Sequence, residues 1–325
     1  DKIFTLRTVE NTLRLKKYTD EHQLKSAVVV GGGFIGIEVA ENLRELGMDV
    51  TLVEAADQLM APFDRDMASF IHAEIRKNSI HLMLDTMVEG FADTDCGIDV
   101  KLKNAPTLHT DMVVMAIGVA PETTLAKEAG LELGIKSSIV VNDKMETSIP
   151  DIYAVGDAVQ IKNFVTDKDT LISLAGPANK QGRIAADNIC GGDSHYTGGQ
   201  GSSVIKIFDM TAATTGINEK TAKSLGIATD KVILSPMSHA GYYPGGKMMT
   251  MKVLFEKESY RILGAQIVGF DGVDKRIDVL ATAIRAGIKA YELAELDLAY
   301  APPYSSAKDP VNMVGYIIEN IKNGI

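Results

Sequence analysis

The stretch that decides the fold is residues 27–54, AVVVGGGFIGIEVAENLRELGMDVTLVE. It opens with an apolar, valine-rich run at 27–30, which is typical of a central parallel strand buried on both faces. A glycine turn follows, then apolar residues at helical spacing, and then a second β-branched run at 50–53 that ends at Glu54. The order strand, glycine turn, helix, strand and acid predicts a dinucleotide-binding unit.

Three glycines of this stretch, Gly31, Gly33 and Gly36, have the G-x-G-x-x-G spacing. The first permits a tight turn, the second lets a pyrophosphate approach the backbone, and the third lets helix and strand pack closely. The helix N-terminus offers free N–H groups and a positive dipole end to the phosphates. We therefore predict a Rossmann-type NAD(H)-binding domain. The inward positions of its first helix are predicted to be Ile35, Val39, Leu43 and Leu46, with Gly47 ending the helix.

Glu54 stands where an acidic residue accepts hydrogen bonds from both hydroxyls of the adenosine ribose. Its carboxylate would repel the 2′-phosphate of NADPH. No Lys or Arg follows it before Arg65, so no nearby cation is in place to bind that phosphate. The sequence therefore predicts NADH rather than NADPH as the nucleotide.

The composition narrows the class of protein. The chain has 325 residues, 46% of them hydrophobic, and a formal net charge of −10. This length accommodates two or three domains with cores of their own. The acidic balance argues against a nucleic-acid surface, no apolar run has the length of a membrane span, and the N-terminus shows no signal-peptide pattern. We expect a soluble, cytoplasmic protein with no nucleic-acid or membrane partner.

The two cysteines, Cys96 and Cys190, are far apart and form no C-x-x-C motif. They indicate neither a disulfide framework nor a zinc site. The six histidines are scattered without ligand spacing, so we expect no metal site.

The residues after Glu54 continue the α/β pattern. They predict a helix capped by Asp64 or Asp66, a strand near 80–84, an antiparallel meander within 86–110, and a buried strand at 112–117 that ends at Gly118. The motif TSIPDIYAVGD at 147–157 then predicts a strand at 152–155. Gly156 allows close backbone approach there, and Asp157 projects a carboxylate past the strand end, where ligands bind in open α/β sheets. A helix is predicted at 176–190.

The remaining segments have a different sequence pattern. Residues 8–18 predict a short helix. From 203 onward, strand-like runs are followed by two helices with apolar stripes, the second opened by Asp309 and Pro310, and this order predicts an α+β domain. The predicted strands are 204–208, 232–235, 248–255 and 261–268.

Five motifs carry a family resemblance, and they are GGGFIGIE, AIGVAPET, TSIPDIYAVGD, LAGPANKQGR and YAPPYSSAKDP, in this order. The chain resembles the FAD-dependent pyridine nucleotide-disulfide oxidoreductases, and within them the group of coenzyme A-disulfide reductases, NADH oxidases, NADH peroxidases and persulfide reductases. The resemblance implies FAD and NADH as cofactors and a homodimer. Family members begin with an FAD-binding unit and a redox-active cysteine, and neither motif is found in this sequence. Cys96 and Cys190 match no nucleophile motif, so neither is assigned a catalytic role.

The resemblance also divides the chain. Residues 1–26 and 144–202 are interpreted as a remnant of the FAD-binding domain, 27–143 as the NAD(H)-binding Rossmann domain, and 203–325 as an α+β dimerisation domain. The implied cofactor-binding residues, beyond the three glycines and Glu54, are Phe34, Ile35, Glu38, Gly118, Gly156, Asp157, Leu174 and Ala175. Phe34 would cover the flavin face, or would simply pack at the helix start.

Tyr242 and Tyr300 match two interface tyrosines that reach the active site of the partner subunit in this family. On chemistry alone, tyrosines in such contexts are more often packing residues. The implied coenzyme A-binding residues are Asn179, Ser238 and Lys308. The leading hypothesis is an NADH-dependent flavoprotein that reduces coenzyme A disulfide or a persulfide. The alternatives are an NADH oxidase or peroxidase, and a non-enzymatic NAD-binding, dimer-forming fragment.

Overall fold

The computed structural model describes residues 2–325 and places a five-stranded parallel sheet at the centre of the N-terminal half. In spatial order its strands are β1 (Ile3–Thr5), β8 (Met112–Met115), β2 (Ser26–Val30), β3 (Asp49–Val53) and β4 (His81–Met83). The helices of this half are α1 (Val9–Glu21), α2 (Phe34–Glu45), α3 (Arg65–Lys77) and α4 (Thr124–Glu128). The predicted Rossmann-type unit is thereby confirmed.

Helix α2 is rotated relative to the predicted stripe. Val39 and Leu43 are buried as expected, but Ile35 and Leu46 are exposed. Because Gly36 must face the sheet to pack on the glycine turn, the positions one turn and two turns further on also face inward. The buried face therefore contains Ile37 and Ala40 in addition to Val39 and Leu43.

The first 26 residues depart from their assignment to an FAD-domain remnant. Strand β1 pairs in parallel with β8 at the edge of the nucleotide-domain sheet. Phe4 and Leu15 are buried in the same apolar cluster as Ala27 and Val29. The predicted short helix exists as α1, with Thr8 as its N-cap. These residues complete the sheet of the nucleotide-binding domain.

The meander is present as a three-stranded antiparallel sheet of β5 (Val88–Thr94), β6 (Gly97–Leu102) and β7 (Leu108–Thr110). It packs on the parallel sheet through a cluster that includes Val28, Val53, Val100 and Val113.

Residues 144–202 contain little regular structure apart from one helix. Strand β10 (Val159–Lys162) lies between β9 (Ile139–Val140) and β11 (Asp169–Thr170), and α5 (Ala175–Ile189) follows. Because β9 pairs with β10, this small sheet crosses the predicted boundary at residue 143.

The strand predicted at 152–155 is not formed. Tyr153 makes one isolated bridge with Glu146, and a 3₁₀ turn begins at Gly156. A strand requires a ladder of hydrogen bonds along its length, and among residues 2–325 this segment has only the single bridge.

The C-terminal domain is an antiparallel sheet with helices. In spatial order its strands are β12 (Ser203–Ile207), β13 (Met210–Gly216), β16 (Ile262–Gly269), β15 (Met249–Glu256) and β14 (Thr229–Leu234). The helices are α6 (Glu219–Ser224), α7 (Val273–Ala286) and α8 (Pro310–Lys322). The four predicted strands and two predicted helices are confirmed. Strand β13 was missed because its sequence, MTAATTG, has small and polar residues without an apolar period of two.

A buried ion cluster joins the two halves. The ammonium of Lys252 on β15, 1% exposed, lies 3.0 Å from Asp64 and 2.8 Å from Asp66 at the start of α3, and it also contacts Glu219. Three carboxylates at this spacing resemble a cation site, but here the ammonium of Lys252 contacts all three and Lys231 also pairs with Glu219. No helix among residues 2–325 combines the length and apolarity needed to cross a membrane.

Candidate functional site

A cleft with a volume of about 450 Å³ lies at the carboxyl ends of β2, β3 and β8. It contains four of the predicted cofactor-binding residues, Gly31, Gly33, Glu54 and Gly118. Phe91 of the meander lines the opposite side. The carboxyl edge of a parallel sheet is where nucleotides bind in open α/β folds, so this cleft has the location expected for a dinucleotide.

The three glycines of the motif differ in what an added side chain would meet. Gly31 has a φ of +111°, and a Cβ there would lie 2.3 Å from the Ala116 carbonyl oxygen. A Cβ on Gly36 would lie 1.8 Å from the carbonyl oxygen of Gly31. A Cβ on Gly33 would meet no atom within 4 Å. Gly31 and Gly36 are therefore required by the fold, whereas the space above Gly33 is free for a ligand.

The start of α2 is suited to an anion. Gly33 is its N-cap and supplies no side-chain hydrogen bond, so N–H groups of the first turn point toward open space. Those donors and the helix dipole favour a phosphate at this point. The residues present therefore fit the pyrophosphate of a dinucleotide.

The carboxylate of Glu54 is held at the rim of the cleft by two backbone donors. Its Oε2 accepts a hydrogen bond from the Gly32 N–H at 2.6 Å, and Oε1 accepts one from the Ala56 N–H at 2.7 Å. An ionised carboxylate has about four acceptor positions, so two remain for ribose hydroxyls. Backbone donors thus fix the position of the acid before a nucleotide arrives.

His72 supports the same rim and was missed by sequence reasoning. It is 7% exposed, and its Nε2 accepts a hydrogen bond from the Leu59 N–H at 3.0 Å. Leu59 packs over Gly32, whose carbonyl oxygen accepts from the Met60 N–H at 2.9 Å. The imidazole must be neutral to accept, and burial, reinforced by Arg76 and Arg65, lowers the pKa of His72 to about 4.

This pKa makes stability depend on pH. In the unfolded chain His72 gains a proton near its ordinary pKa of 6.5, whereas the folded protein resists protonation until about 4. Stability contributed by neutral His72 is therefore complete above 6.5 and is lost as the pH falls through this window, by on the order of 3 kcal/mol. We expect the melting temperature to fall less over this pH range in His72→Gln than in the wild type. The amide oxygen of the glutamine can still accept a hydrogen bond from the Leu59 N–H. Equal declines in the two proteins would contradict this assignment.

Phe34, Ile35 and Glu38 do not line the cleft. Phe34 is half-buried against the core, while Ile35 and Glu38 are exposed and lie along a groove between α1 and α2. The structure thus separates them from the four residues that the cleft brings together.

A second predicted site lies where Gly156 meets α5. The Gly156 N–H donates to Oε1 of Gln181 at 2.7 Å, and Gln181 is buried. This bond holds Asp157, which is exposed, near the helix whose N-cap is Leu174 and whose first residue is Ala175. An acceptor beside a helix N-terminus fits a polyhydroxyl chain next to an anionic group, which is the chemistry expected for FAD.

The two predicted tyrosines are brought together by the fold. Their hydroxyl oxygens lie 3.0 Å apart, although 58 positions separate Tyr242 from Tyr300. Both are open to solvent, with 77% and 47% of their surfaces exposed. The hydrogen bond with Tyr242 raises the pKa of Tyr300. The phenol of Tyr300 therefore stays protonated at neutral pH, and the pair has a hydroxyl able to donate a hydrogen bond outward.

A buried arginine positions the loops that carry this pair. Arg276 of α7 donates to the carboxylate of Asp309 at 3.0 Å and to the Ser238 carbonyl oxygen at 2.8 Å. Ser305 donates to the same carboxylate at 2.6 Å, and its carbonyl oxygen accepts from the Ala240 N–H. Burial opposes ionisation of Asp309, but hydrogen bonds from Ser305, the Val311 N–H and Arg276 outweigh it and lower the pKa.

Removing Arg276 should be costly. In Arg276→Met the carboxylate of Asp309, 3% exposed at its side chain, stays buried without its cation, and we expect a loss of about 3–5 kcal/mol of stability. Lys16→Met, which breaks the exposed Lys16–Asp20 pair, is the matched control and should cost about 0.5 kcal/mol or less. Denaturant unfolding of both variants measures the difference. Similar losses in the free energy of unfolding of the two variants would show that the buried pair stabilises the fold no more than the exposed pair does.

The three predicted coenzyme A-binding residues have different environments. Asn179 on α5 and Lys308 are exposed, and the ammonium of Lys308 lies 6.0 Å from the ring centre of Tyr316. Ser238 is 1% exposed, and its hydroxyl accepts a hydrogen bond from the Lys247 N–H at 3.1 Å. Ser238 therefore closes the loop that carries Tyr242 and does not face solvent.

A Rossmann-type cleft joined to an antiparallel α+β domain defines a dinucleotide-binding protein with a second domain suited to assembly. Residues 1–182 match the family model described as pyridine nucleotide-disulphide oxidoreductase, and residues 202–310 match the dimerisation domain of that family. The chain belongs to the pyridine nucleotide-disulphide oxidoreductases. FAD and a nicotinamide nucleotide, the two expected cofactors, are those of this family.

Two curated relatives align over 317 residues. The NADH oxidase of Methanocaldococcus jannaschii is 37% identical, with 96% of this chain and 69% of the relative covered. The coenzyme A disulfide reductase of Staphylococcus haemolyticus is 36% identical, with 97% of this chain and 71% of the relative covered.

Two solved structures superpose over the whole chain. Reduced CoADR-RHD from Bacillus anthracis is 51% identical with a TM-score of 0.97, and the NAD-dependent persulfide reductase from A. fulgidus is 39% identical with a TM-score of 0.96. The chain spans 58% and 60% of the lengths of these two proteins.

Proposed function

We propose that this chain supplies the NADH-binding and dimer-forming parts of a flavin-dependent reductase that acts on coenzyme A disulfide or a persulfide. The observation that carries the proposal is the exposed phenol pair of Tyr242 and Tyr300, held 3.0 Å apart on a domain of the dimerisation family. The names of the coenzyme A disulfide reductase and the persulfide reductase among its relatives favour a sulfur substrate.

The nucleotide cleft would bind and orient NADH. Open space above Gly33 and the free N–H groups of α2 would hold the pyrophosphate, and Glu54 would accept from the adenosine ribose. The turn at Gly118, with φ of +103° and no atom near its missing Cβ, would allow close approach of the nicotinamide end. When bound, the flavin supplies hydride acceptance and electron transfer to sulfur.

The phenol pair would act on the sulfur substrate. Cleavage of a disulfide releases a thiolate, which leaves more easily when a nearby group donates a hydrogen bond or a proton. A neutral phenol can do either, and the neighbouring hydroxyl of the pair can replace the donated proton. Exposed Lys308 and Asn179 would contact the phosphate and amide groups of coenzyme A.

We expect a homodimer, because residues 202–310 match the dimerisation domain of the family. Because Tyr242 and Tyr300 project from the dimerisation domain into solvent, they are available to a second subunit. A two-fold interface would place each pair at the site of the partner.

The proposal is tested with the flavin-containing protein by following NADH consumption with coenzyme A disulfide, a persulfide, oxygen and peroxide. We expect kcat/KM for one of the sulfur substrates to exceed that for oxygen or peroxide. The double variant Tyr242→Phe/Tyr300→Phe should lose about 100-fold in disulfide turnover, while electron transfer to ferricyanide is retained. If oxygen or peroxide is the better acceptor, the protein is instead an NADH oxidase or peroxidase, the activity named for its Methanocaldococcus relative.

A further inference from the structure

A cluster of a cysteine, a histidine and an aspartate lies at the tip of the hairpin formed by β5 and β6. Cys96 is exposed in the turn between these strands, and its Sγ lies 3.6 Å from Nε2 of His109 on β7. The other ring nitrogen of His109, Nδ1, lies 2.9 Å from Oδ1 of Asp99 on β6. A nucleophile, a base and a group that orients the base therefore follow one another, as they do at activated nucleophiles.

The partners of the imidazole define its tautomer. The ionised carboxylate of Asp99 can only accept, so Nδ1 carries the ring proton and donates it. In the neutral ring Nε2 then has a free lone pair, which accepts from the thiol of Cys96. His109 is thus placed to take the thiol proton when the sulfur attacks.

Two further features fix this geometry independently of Cys96. A Cβ on Gly97 would lie 2.5 Å from the Thr110 carbonyl oxygen and 2.9 Å from Nε2 of His109, so glycine lets the strand and the ring pack closely at this point. The ammonium of Lys2 donates to the carbonyl oxygens of Thr94 and Gly97 at 3.1 and 2.9 Å. Lys2 therefore anchors the turn that carries the cysteine, and its ammonium is also paired with the Asp93 carboxylate at 2.8 Å.

We propose that Cys96 is a thiol-modification site that reacts with low-molecular-weight disulfides. The sulfur of Cys96 attacks one sulfur of the disulfide while its proton passes to Nε2 of His109. As the new S–S bond forms, the old one breaks, so Cys96 is oxidised to a mixed disulfide and the other half of the reagent is reduced. The released thiolate takes the proton from His109, which restores the base.

This reaction is separate from the proposed reductase activity. It needs neither flavin nor nicotinamide, and the hairpin tip follows Thr94, at the opposite end of β5 from the cleft residue Val88. The outcome of a test of Cys96 reactivity is therefore independent of the substrate proposed for the reductase.

The second cysteine provides an internal control. Cys190 is also exposed, but it is the C-cap of α5, and among residues 2–325 its thiol makes no hydrogen bond with a histidine. Within these 325 residues, which contain two cysteines, Cys190→Ser leaves Cys96 as the single thiol and Cys96→Ser leaves Cys190.

The test follows the reaction of each single-thiol variant with the chromogenic disulfide dithiobis(nitrobenzoate) at neutral pH. We expect Cys96 to react at least about tenfold faster than Cys190, and His109→Asn in the Cys190→Ser background to remove most of that advantage. Asp99→Asn should slow the reaction severalfold because it frees the ring to rotate. In denaturant all variants should react alike. A Cys96 rate that is unchanged by His109→Asn, or no faster than that of Cys190, would overturn the proposal.

Discussion

Gly36→Ala is expected to destabilise the nucleotide-binding domain severely. The new Cβ would lie 1.8 Å from the carbonyl oxygen of Gly31, which belongs to a backbone turn that cannot move without disrupting β2. Overpacking against a rigid neighbour costs about 3 kcal/mol or more. For a domain of this size that corresponds to a fall in melting temperature on the order of 6–10 °C.

Gly33→Ala, three residues away, is the matched control. Its φ is −84° and a Cβ meets no atom within 4 Å, so the fold should be nearly unaffected. The added methyl group would, however, occupy the space assigned to the pyrophosphate, and we expect NADH affinity to fall by about tenfold or more, equivalent to about 1.4 kcal/mol. Calorimetry of both variants, with and without NADH, separates the two effects. If Gly33→Ala bound NADH normally, the pyrophosphate would not lie above this residue.

Glu54→Gln is expected to remove the preference for NADH. The amide keeps the size of the side chain but loses the charge that strengthens hydrogen bonds to ribose hydroxyls, each worth about 1.5–3 kcal/mol when one partner is charged. NADH affinity should therefore fall by about tenfold or more. The same change removes the repulsion of the 2′-phosphate, so NADPH affinity should hold or rise.

Adding a cation should complete the change in specificity. Ala55 is exposed on the rim of the cleft, next to Glu54. The double variant Glu54→Gln/Ala55→Arg is expected to prefer NADPH, since guanidinium groups bind phosphate with two parallel hydrogen bonds. Ala56→Arg is the matched control, because it adds the same charge while retaining the acid and should still prefer NADH. Unchanged selectivity in the double variant would mean that the adenosine ribose lies elsewhere.

Features set by local sequence could be predicted, because their physical cause lies within a few residues. The glycine motif requires a particular turn, and Glu54 follows a strand whose end lies at the sheet edge, so the cleft could be predicted from residues 27–54. The prediction of a strand at 152–155 was wrong, because an apolar run forms a strand only where a neighbouring strand is available to pair with it.

Residues that support the two sites could not be predicted from the sequence, because their roles depend on tertiary contacts. Nothing near His72 in sequence shows that its acceptor meets the Leu59 N–H, and Arg276 is flanked by the apolar stripe of α7 without a signal of its role. The burial of Ser238 likewise depends on the loop it closes with Lys247. Tyr242 and Tyr300 were singled out through motif resemblance, whereas their mutual hydrogen bond is a property of the folded chain.

The assignment of the cleft to NADH is tested by titrating the purified wild-type protein with NADH and with NADPH and following nicotinamide fluorescence. We expect one NADH per chain and a Kd at least about tenfold lower than for NADPH, because Glu54 discriminates by about 1.4 kcal/mol or more. Failure to bind NADH, or tighter binding of NADPH, would contradict the assignment of the cleft and of the acid at its rim.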